Sequence, residues 1–352
     1  MKKIPVGILA ATGAVGQRFV EQLVDHPLFE ITAVTGSPRT VGRPYSEGVN
    51  WLLDGDPPQA VADLIVQPTE PTLDEKVLFS ALPTAQAREL EPLFAQAGYM
   101  VLTNASPFRM DPLVPLLIPE VNADHTALIA DQQREYGWKG FIVANANCST
   151  TSIVLPLQIL HQAVGLETAV VTTMQAISGA GYPGVPSLDI LGNVMPHIGG
   201  EDGKLESEPM KLCGTYENGA ITPAPFKVSA QANRVPVIDG HMASLSVKLR
   251  RHMSAEEAIA LFSSWQPPAI CQQLPTMPRP AIVYRPEADR PQPRKDANTG
   301  NGLAWTVGGL RTCPVNDLRF VALAHNTLRG AASGSILNGE LLVAQGIIAS
   351  GE

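Results

Sequence analysis

The chain has 352 residues, 45% apolar and 16% charged, with 25 Lys and Arg against 33 Asp and Glu for a net charge of −8. That apolar share supplies a large core and argues against disorder, and a charged fraction below the usual ~25% points to surface covered by a partner subunit. The acidic balance excludes the basic face that a nucleic-acid backbone requires, and no apolar run reaches the ~18 residues needed to cross a bilayer.

At roughly 150 residues per domain the length suits two domains. The opening MKKIPVGIL reads as a first strand over 4–9, not a signal peptide. Val15, Phe19, Val20 and Leu23 then recur at helical spacing and predict a helix over 14–25. Further strands are expected at 29–35, 77–80, 100–103 and 141–144, an alternation that specifies a parallel sheet. From about 147 the pattern changes. A helix near 149–163 is followed by strand candidates at 168–176, 241–250, 304–311 and 318–325, which suggests an α+β part with a mostly antiparallel sheet. Six prolines between 272 and 302 favour an extended excursion there. The segment 328–348 reads as a helix that returns to the first domain. The expected division is a Rossmann-type NADP-binding domain over 1–146, completed by 327–352, and a catalytic and dimerisation domain over 147–326.

Between the first strand and helix, VGILAATGAVGQ places Gly13 and Gly16 where backbone can approach a pyrophosphate at a helix N-terminus. Ala10 stands where the usual fingerprint has its first glycine. After the second strand comes TGSPRT, with Ser37, Arg39 and Thr40 and no acid. A carboxylate there would repel a 2′-phosphate, whereas a guanidinium and hydroxyls bind it, so NADP is expected over NAD.

In ANANCSTTS, Cys148 lies between a strand and a helix, where the helix N-terminus lowers a thiol's pKa. A lone cysteine is more often a small core residue. RVPVIDGH adds Arg234, suited to a carboxylate, and His241, suited to proton transfer beside a thiolate, with His325 as a rival. Three more clusters suit small anions: Arg109 in ASPFRM, Glu208 and Lys211 at i, i+3 in ESEPMK, and Gln175, Ser178 and Gly179 in MQAISGAG. Cys148, Cys213, Cys271 and Cys313 form no CxxC pair, so neither a disulfide framework nor a metal site is expected, and a reducing, cytoplasmic compartment is.

The order AATGAVGQ, SPRTVG, ASPFRM, IPEVN, NANCSTTS, MQAISGAG, ESEPMK, RVPVIDGH, RPQPRKD, VGGLR and HNTLRGAA resembles the aspartate-semialdehyde dehydrogenase family, in the branch typified by archaeal and fungal enzymes. The likeness runs from residue 6 to about 345, and NCST followed by RVPV-x3-H is its most specific part. It implies NADPH-dependent reductive dephosphorylation of L-aspartyl-4-phosphate to the 4-semialdehyde, a step towards lysine, threonine, methionine and isoleucine. By the same resemblance Cys148 is the acyl-thioester nucleophile, His241 the acid/base and Gln175 its neighbour. Arg234 grips the α-carboxylate, Glu208 the ammonium, and Arg109 and Lys211 the phosphate. Cofactor contacts fall on Thr12, Gly13, Ala14, Val15, Gly16, Ser37, Arg39, Thr40, Ser80, Ser178, Gly179 and Asn326. The implied partners are small-molecule substrate, inorganic phosphate and further copies of the chain, as a homodimer or homotetramer. The main alternative is a malonyl-CoA reductase on the same scaffold. An N-acetyl-glutamyl-phosphate reductase is disfavoured by the sequence around the cysteine, and a short-chain reductase by the lack of YxxxK.

Overall fold

The computed structural model describes residues 2–349. The strand Ile4–Leu9 and the helix Ala14–Leu23 open the chain as their apolar spacing requires, with Phe19, Val20 and Leu23 buried. Strands Phe29–Val34, Val77–Ser80, Met100–Thr103 and Phe141–Asn145 join the first strand in one sheet. A short strand, Leu116–Leu117, completes it, and every pairing is parallel. These strands are nearly continuous apolar runs because both faces of a parallel sheet are covered.

The second sheet also has six strands. In spatial order they are Lys227–Arg234, Leu166–Gln175, His241–Leu249, Leu318–Ala324, Trp305–Thr312 and Ile282–Arg285. Its three inner pairings are antiparallel and its two outer ones parallel. The sheet is therefore mostly antiparallel, as expected, with a parallel strand added at each edge. Neither edge strand follows from apolar patterning. KVSAQANR is largely polar because it borders solvent, and IVYR lies inside the proline-rich segment, at an edge where few ladder donors are needed.

Helices Cys148–Val164, Glu201–Leu212 and Ala255–Ser264 pack on one face of this sheet. On the other face Val170, Thr172 and Ser244 are exposed. The last helix is Ala332–Ala344, shorter than expected because residues 325–331 bend against the nucleophile helix first. It packs on Ala14–Leu23 and on the first sheet, where a Cβ at Gly339 would lie 3.2 Å from the rings of Phe29 and Phe79. No helix among the described residues is long and apolar enough to cross a membrane.

The turn after the first strand carries a strain visible in the backbone. Ala10 has φ +58°, a left-handed conformation that costs an L-residue roughly 1–2 kcal/mol and a glycine little. Ala10→Gly is expected to raise Tm by about 2 °C, since the relieved strain outweighs the added chain entropy of glycine. Thermal unfolding followed by circular dichroism checks this; a fall in Tm would mean that the alanine methyl is favourably packed.

Candidate active site

Cys148 is the first residue of its helix. Asn147 caps that helix, its Oδ1 accepting from the backbone N–H groups of Ser149 (2.9 Å) and Thr150 (3.1 Å). The sulfur is thus held at a helix N-terminus by a side chain that satisfies two otherwise unpaired donors. His241 begins the strand His241–Leu249, after Gly240 turns the chain at φ +99°. Its Nε2 lies 3.3 Å from Cys148 Sγ. Its Nδ1 accepts from the Ala176 N–H at 3.1 Å, so in the neutral ring the proton sits on Nε2 and faces the sulfur.

Two glycines make this contact possible. A Cβ on Gly179 would stand 2.9 Å from the imidazole and from Arg234 Nη1, and one on Gly330 would stand 2.7 Å from Cys148 Cβ. Arg234 ends an edge strand in register with Gln175 and donates to the Ala176 carbonyl at 2.8 Å. Gln175 is buried, with Nε2 3.3 Å from Thr173 Oγ1 and 3.5 Å from Glu201 Oε2.

Burial, reinforced by the Glu201 carboxylate, pushes the Cys148 thiol up to about 11, against the opposing pull of Arg109, Lys204 and Arg234. The expectation of a lowered thiol is therefore reversed, because desolvation outweighs the helix N-terminus. Burial also drives His241 down to about 3, with Arg234 adding to the effect. The pair at neutral pH is a thiol and a neutral imidazole.

Beside the sulfur, Asn104, Ser106, Arg109, Gln175, Glu201 and Lys204 line one pocket. Glu201 and Lys204 were not among the expected residues. Glu201 accepts from Ser149 Oγ at 3.0 Å and pairs with Lys204 at 2.6 Å. Lys204 is a third exposed. Glu208 and Lys211, expected to bind the ammonium and the phosphate, lie deeper. Glu208 is 2% exposed and both its oxygens are engaged, while Lys211 gives its ammonium to three backbone carbonyls. The expectation is corrected by one heptad. E-x-x-K occurs twice in this helix, at 201–204 and 208–211, and seven residues are close to two turns, so both pairs share a face. Only position along the helix separates them, and the pattern at 201–204 was the signal available.

A larger cleft of about 530 Å³ adjoins this pocket and runs between the two sheets. Ala14, Val15, Ser178, Gly179 and Asn326 line it together with Cys148. Immediately before Ala14, Thr12 and Gly13 lead into a helix with no acid in its first turn, and a Cβ on Gly16 would lie 2.3 Å from the Ala10 carbonyl oxygen. This glycine packing and the free N–H groups suit a pyrophosphate. Ser37 and Arg39 are exposed in the turn after the second strand, where Thr40 Oγ1 donates to the Ser37 carbonyl. One expected cofactor contact differs. Ser80 is fully buried and its hydroxyl donates to Glu91 at 2.6 Å, turned into the core. Asn326 lines the cleft and ties its walls together, its Oδ1 accepting from the Gly240 N–H and its Nδ2 donating to Ser178 Oγ, with one N–H left over. His325, the rival histidine, has no contact with the sulfur; its Nδ1 faces the Leu328 N–H and the Thr327 hydroxyl.

Residues 5–129 match the family described as semialdehyde dehydrogenase, NAD binding domain, and residues 157–329 its dimerisation domain. An aspartate-semialdehyde dehydrogenase of Archaeoglobus fulgidus is 49% identical, covering 97% of this chain and 99% of the relative. One from Cryptococcus neoformans is 46% identical over 98% of both. The crystal structure of the Candida albicans aspartate-semialdehyde dehydrogenase with NADP superimposes with TM-score 0.90 at 37% identity, covering 99% of this chain and all of that one.

Proposed function

The chain belongs to the aspartate-semialdehyde dehydrogenase family, and from that membership we propose that it converts L-aspartyl-4-phosphate to L-aspartate 4-semialdehyde with NADPH, in amino-acid biosynthesis. The observation that carries this reading is the 3.3 Å contact of Cys148 Sγ with His241 Nε2, at a pocket that also holds Arg109, Glu201 and Lys204. No observation favours the CoA-thioester alternative, and Glu201 suits the α-ammonium that a malonyl substrate lacks.

In the proposed reaction the Cys148 sulfur attacks the acyl carbon. The S–C bond forms, the C–O bond to phosphorus breaks, and the thiol proton leaves with the phosphate as its monohydrogen dianion. Arg109 and Lys204 offset the charge of that leaving group, and Arg234 holds the α-carboxylate. His241 presents Nε2–H first to the sulfur and then to the carbonyl oxygen as each gains negative charge. When bound, NADPH supplies the hydride that reduces the thioester carbon. The resulting thiohemiacetal on Cys148 collapses by breaking its S–C bond, which frees the aldehyde and a thiolate that regains its proton.

The residues fit NADP. The turn of Thr12, Gly13 and Gly16 suits the pyrophosphate, and Ser37 with Arg39 suits the 2′-phosphate. Residues 1–146 with the returning helix make the cofactor domain in this reading, and 147–326 the catalytic one. The dimerisation-domain match and the exposed sheet face at Val170 and Ser244 support a homodimer, or two such dimers as a tetramer. All four cysteines are free thiols, which supports a reducing, cytoplasmic setting.

The function is tested by following NADP reduction with aspartate semialdehyde and inorganic phosphate, against NADPH oxidation with malonyl-CoA. Activity in the second assay alone would overturn the proposal. For the cofactor, Arg39→Ala is expected to raise the KM for NADPH about tenfold while changing that for NADH less than twofold, as loss of one charge-assisted phosphate contact requires. Equal effects on both cofactors would remove the 2′-phosphate assignment.

A further inference from the structure

The second E-x-x-K pair in the helix Glu201–Leu212 lies behind the pocket and does not line it, yet both Glu208 oxygens reach residues that do, and Lys211 holds the backbone of one of them. Glu208 Oε1 stands 3.3 Å from Arg109 Nη1. Its Oε2 accepts at 2.8 Å from the N–H of Asn147, the residue immediately before Cys148. Lys211 Nζ donates to the carbonyls of Arg109 (2.8 Å), Asp111 (2.6 Å) and Val114 (2.8 Å). Three acceptors use all three protons of an ammonium, so Lys211 has none left for a substrate phosphate. What it does is fasten the segment that carries Arg109.

Arg109 is in turn held on two sides. Nη1 faces Glu208, Nη2 donates to the Asn104 carbonyl at 2.7 Å, and the buried Nε has no partner among the described residues. A buried guanidinium that spends two of its five N–H groups within the protein, in a site that handles acyl phosphates, keeps donors for an anion. Its direction depends on Glu208. Without that carboxylate, Nη1 and the Asn147 N–H would both lose their acceptor, and either the arginine or the start of the nucleophile helix would have to shift. An ammonium ligand could not be recruited to Glu208 without the same loss.

We propose that Glu208 and Lys211 are positioning residues which, through Arg109, set the site of the phosphate that leaves in the forward reaction and attacks in reverse. The inference rests on the acyl-phosphate reading above. It is tested in the full chain by the phosphorylating oxidation of aspartate semialdehyde with NADP, varying inorganic phosphate, for the wild type, Glu208→Gln, Arg109→Ala and the double variant. Gln keeps the size of Glu208 and one acceptor, so the fold is retained. Glu208→Gln is expected to raise the KM for phosphate about tenfold and leave that for the aldehyde within about twofold. In the Arg109→Ala background the same change is expected to alter the phosphate KM less than about twofold, because the group it acts through is gone. A Glu208→Gln effect of equal size in both backgrounds would overturn the proposal. So would a raised aldehyde KM with phosphate unaffected, which would return Glu208 to the ammonium. A wild type that fails to oxidise the aldehyde at all would instead refute the function itself, so the two failures are separable.

Discussion

Replacing Cys148 with serine is expected to lower kcat by about 10⁴-fold or more, with the fold and the KM for NADPH retained. The hydroxyl is nearly the volume of the thiol and meets the same neighbours, His241 on one side and Gly330 on the other, so packing does not change. Nucleophilicity does. A serine alkoxide is far less accessible than a thiolate, and an ester is a poorer hydride acceptor than a thioester. Circular dichroism establishes the fold, steady-state kinetics the loss, and mass spectrometry of the wild type mixed with acyl phosphate alone the acyl-enzyme. The sulfur's environment makes a second, independent demand on this assignment. Burial puts the thiol at about 11, so alkylation of Cys148 by iodoacetamide in the free enzyme should still be rising above pH 9. A plateau near pH 7 would show that the thiolate is already formed there. Turnover by the serine variant within tenfold of wild type would end the covalent mechanism.

The parts of the molecule legible in the sequence are those in which one local pattern decides the structure. Val77–Ser80 and Met100–Thr103 are short apolar runs between turns and read as buried parallel strands, which they are. The strand Lys227–Arg234 was hidden because an edge strand borders solvent and need not be apolar, although Arg234 at its end is among the residues nearest the chemistry. The helix Ala255–Ser264 carries a local signal of its own, since Ser254 and Glu257 form a capping box spelled out in the sequence. The exchange of Glu208 for Glu201 has a different cause. Two identical E-x-x-K pairs on one helical face differ only in depth, and depth is set by how the helix docks on the sheet, which spacing alone does not encode. The direction of the thiol's shift is hidden from the sequence for a related reason. The helix N-terminus is visible in the sequence, while the desolvation that overrides it comes from residues far along the chain, such as Gly330 and His241.

His241→Asn is expected to lower kcat about 10³-fold and leave the KM for aldehyde and phosphate within about threefold, the range for losing a positioned acid/base or donor group. The size follows from what asparagine keeps. Its Oδ1 can still accept from the Ala176 N–H, as Nδ1 does at 3.1 Å, so the strand start stays in place while the group facing the sulfur is lost. His241→Gln separates two roles for that group. With Nδ1 occupied as an acceptor, the neutral ring faces Sγ as a donor, and becoming imidazolium would set Nδ1–H against the Ala176 N–H. Burial and Arg234 oppose that form, down to about pH 3. Donation to the sulfur and then to the oxyanion is therefore the role the geometry favours over proton storage. A glutamine amide reaches further than asparagine and can donate from near the Nε2 position, so His241→Gln should retain about tenfold more activity than His241→Asn. If the two variants are equally impaired, hydrogen-bond donation is insufficient and the imidazole must carry the proton itself, giving up the Ala176 contact in each turnover.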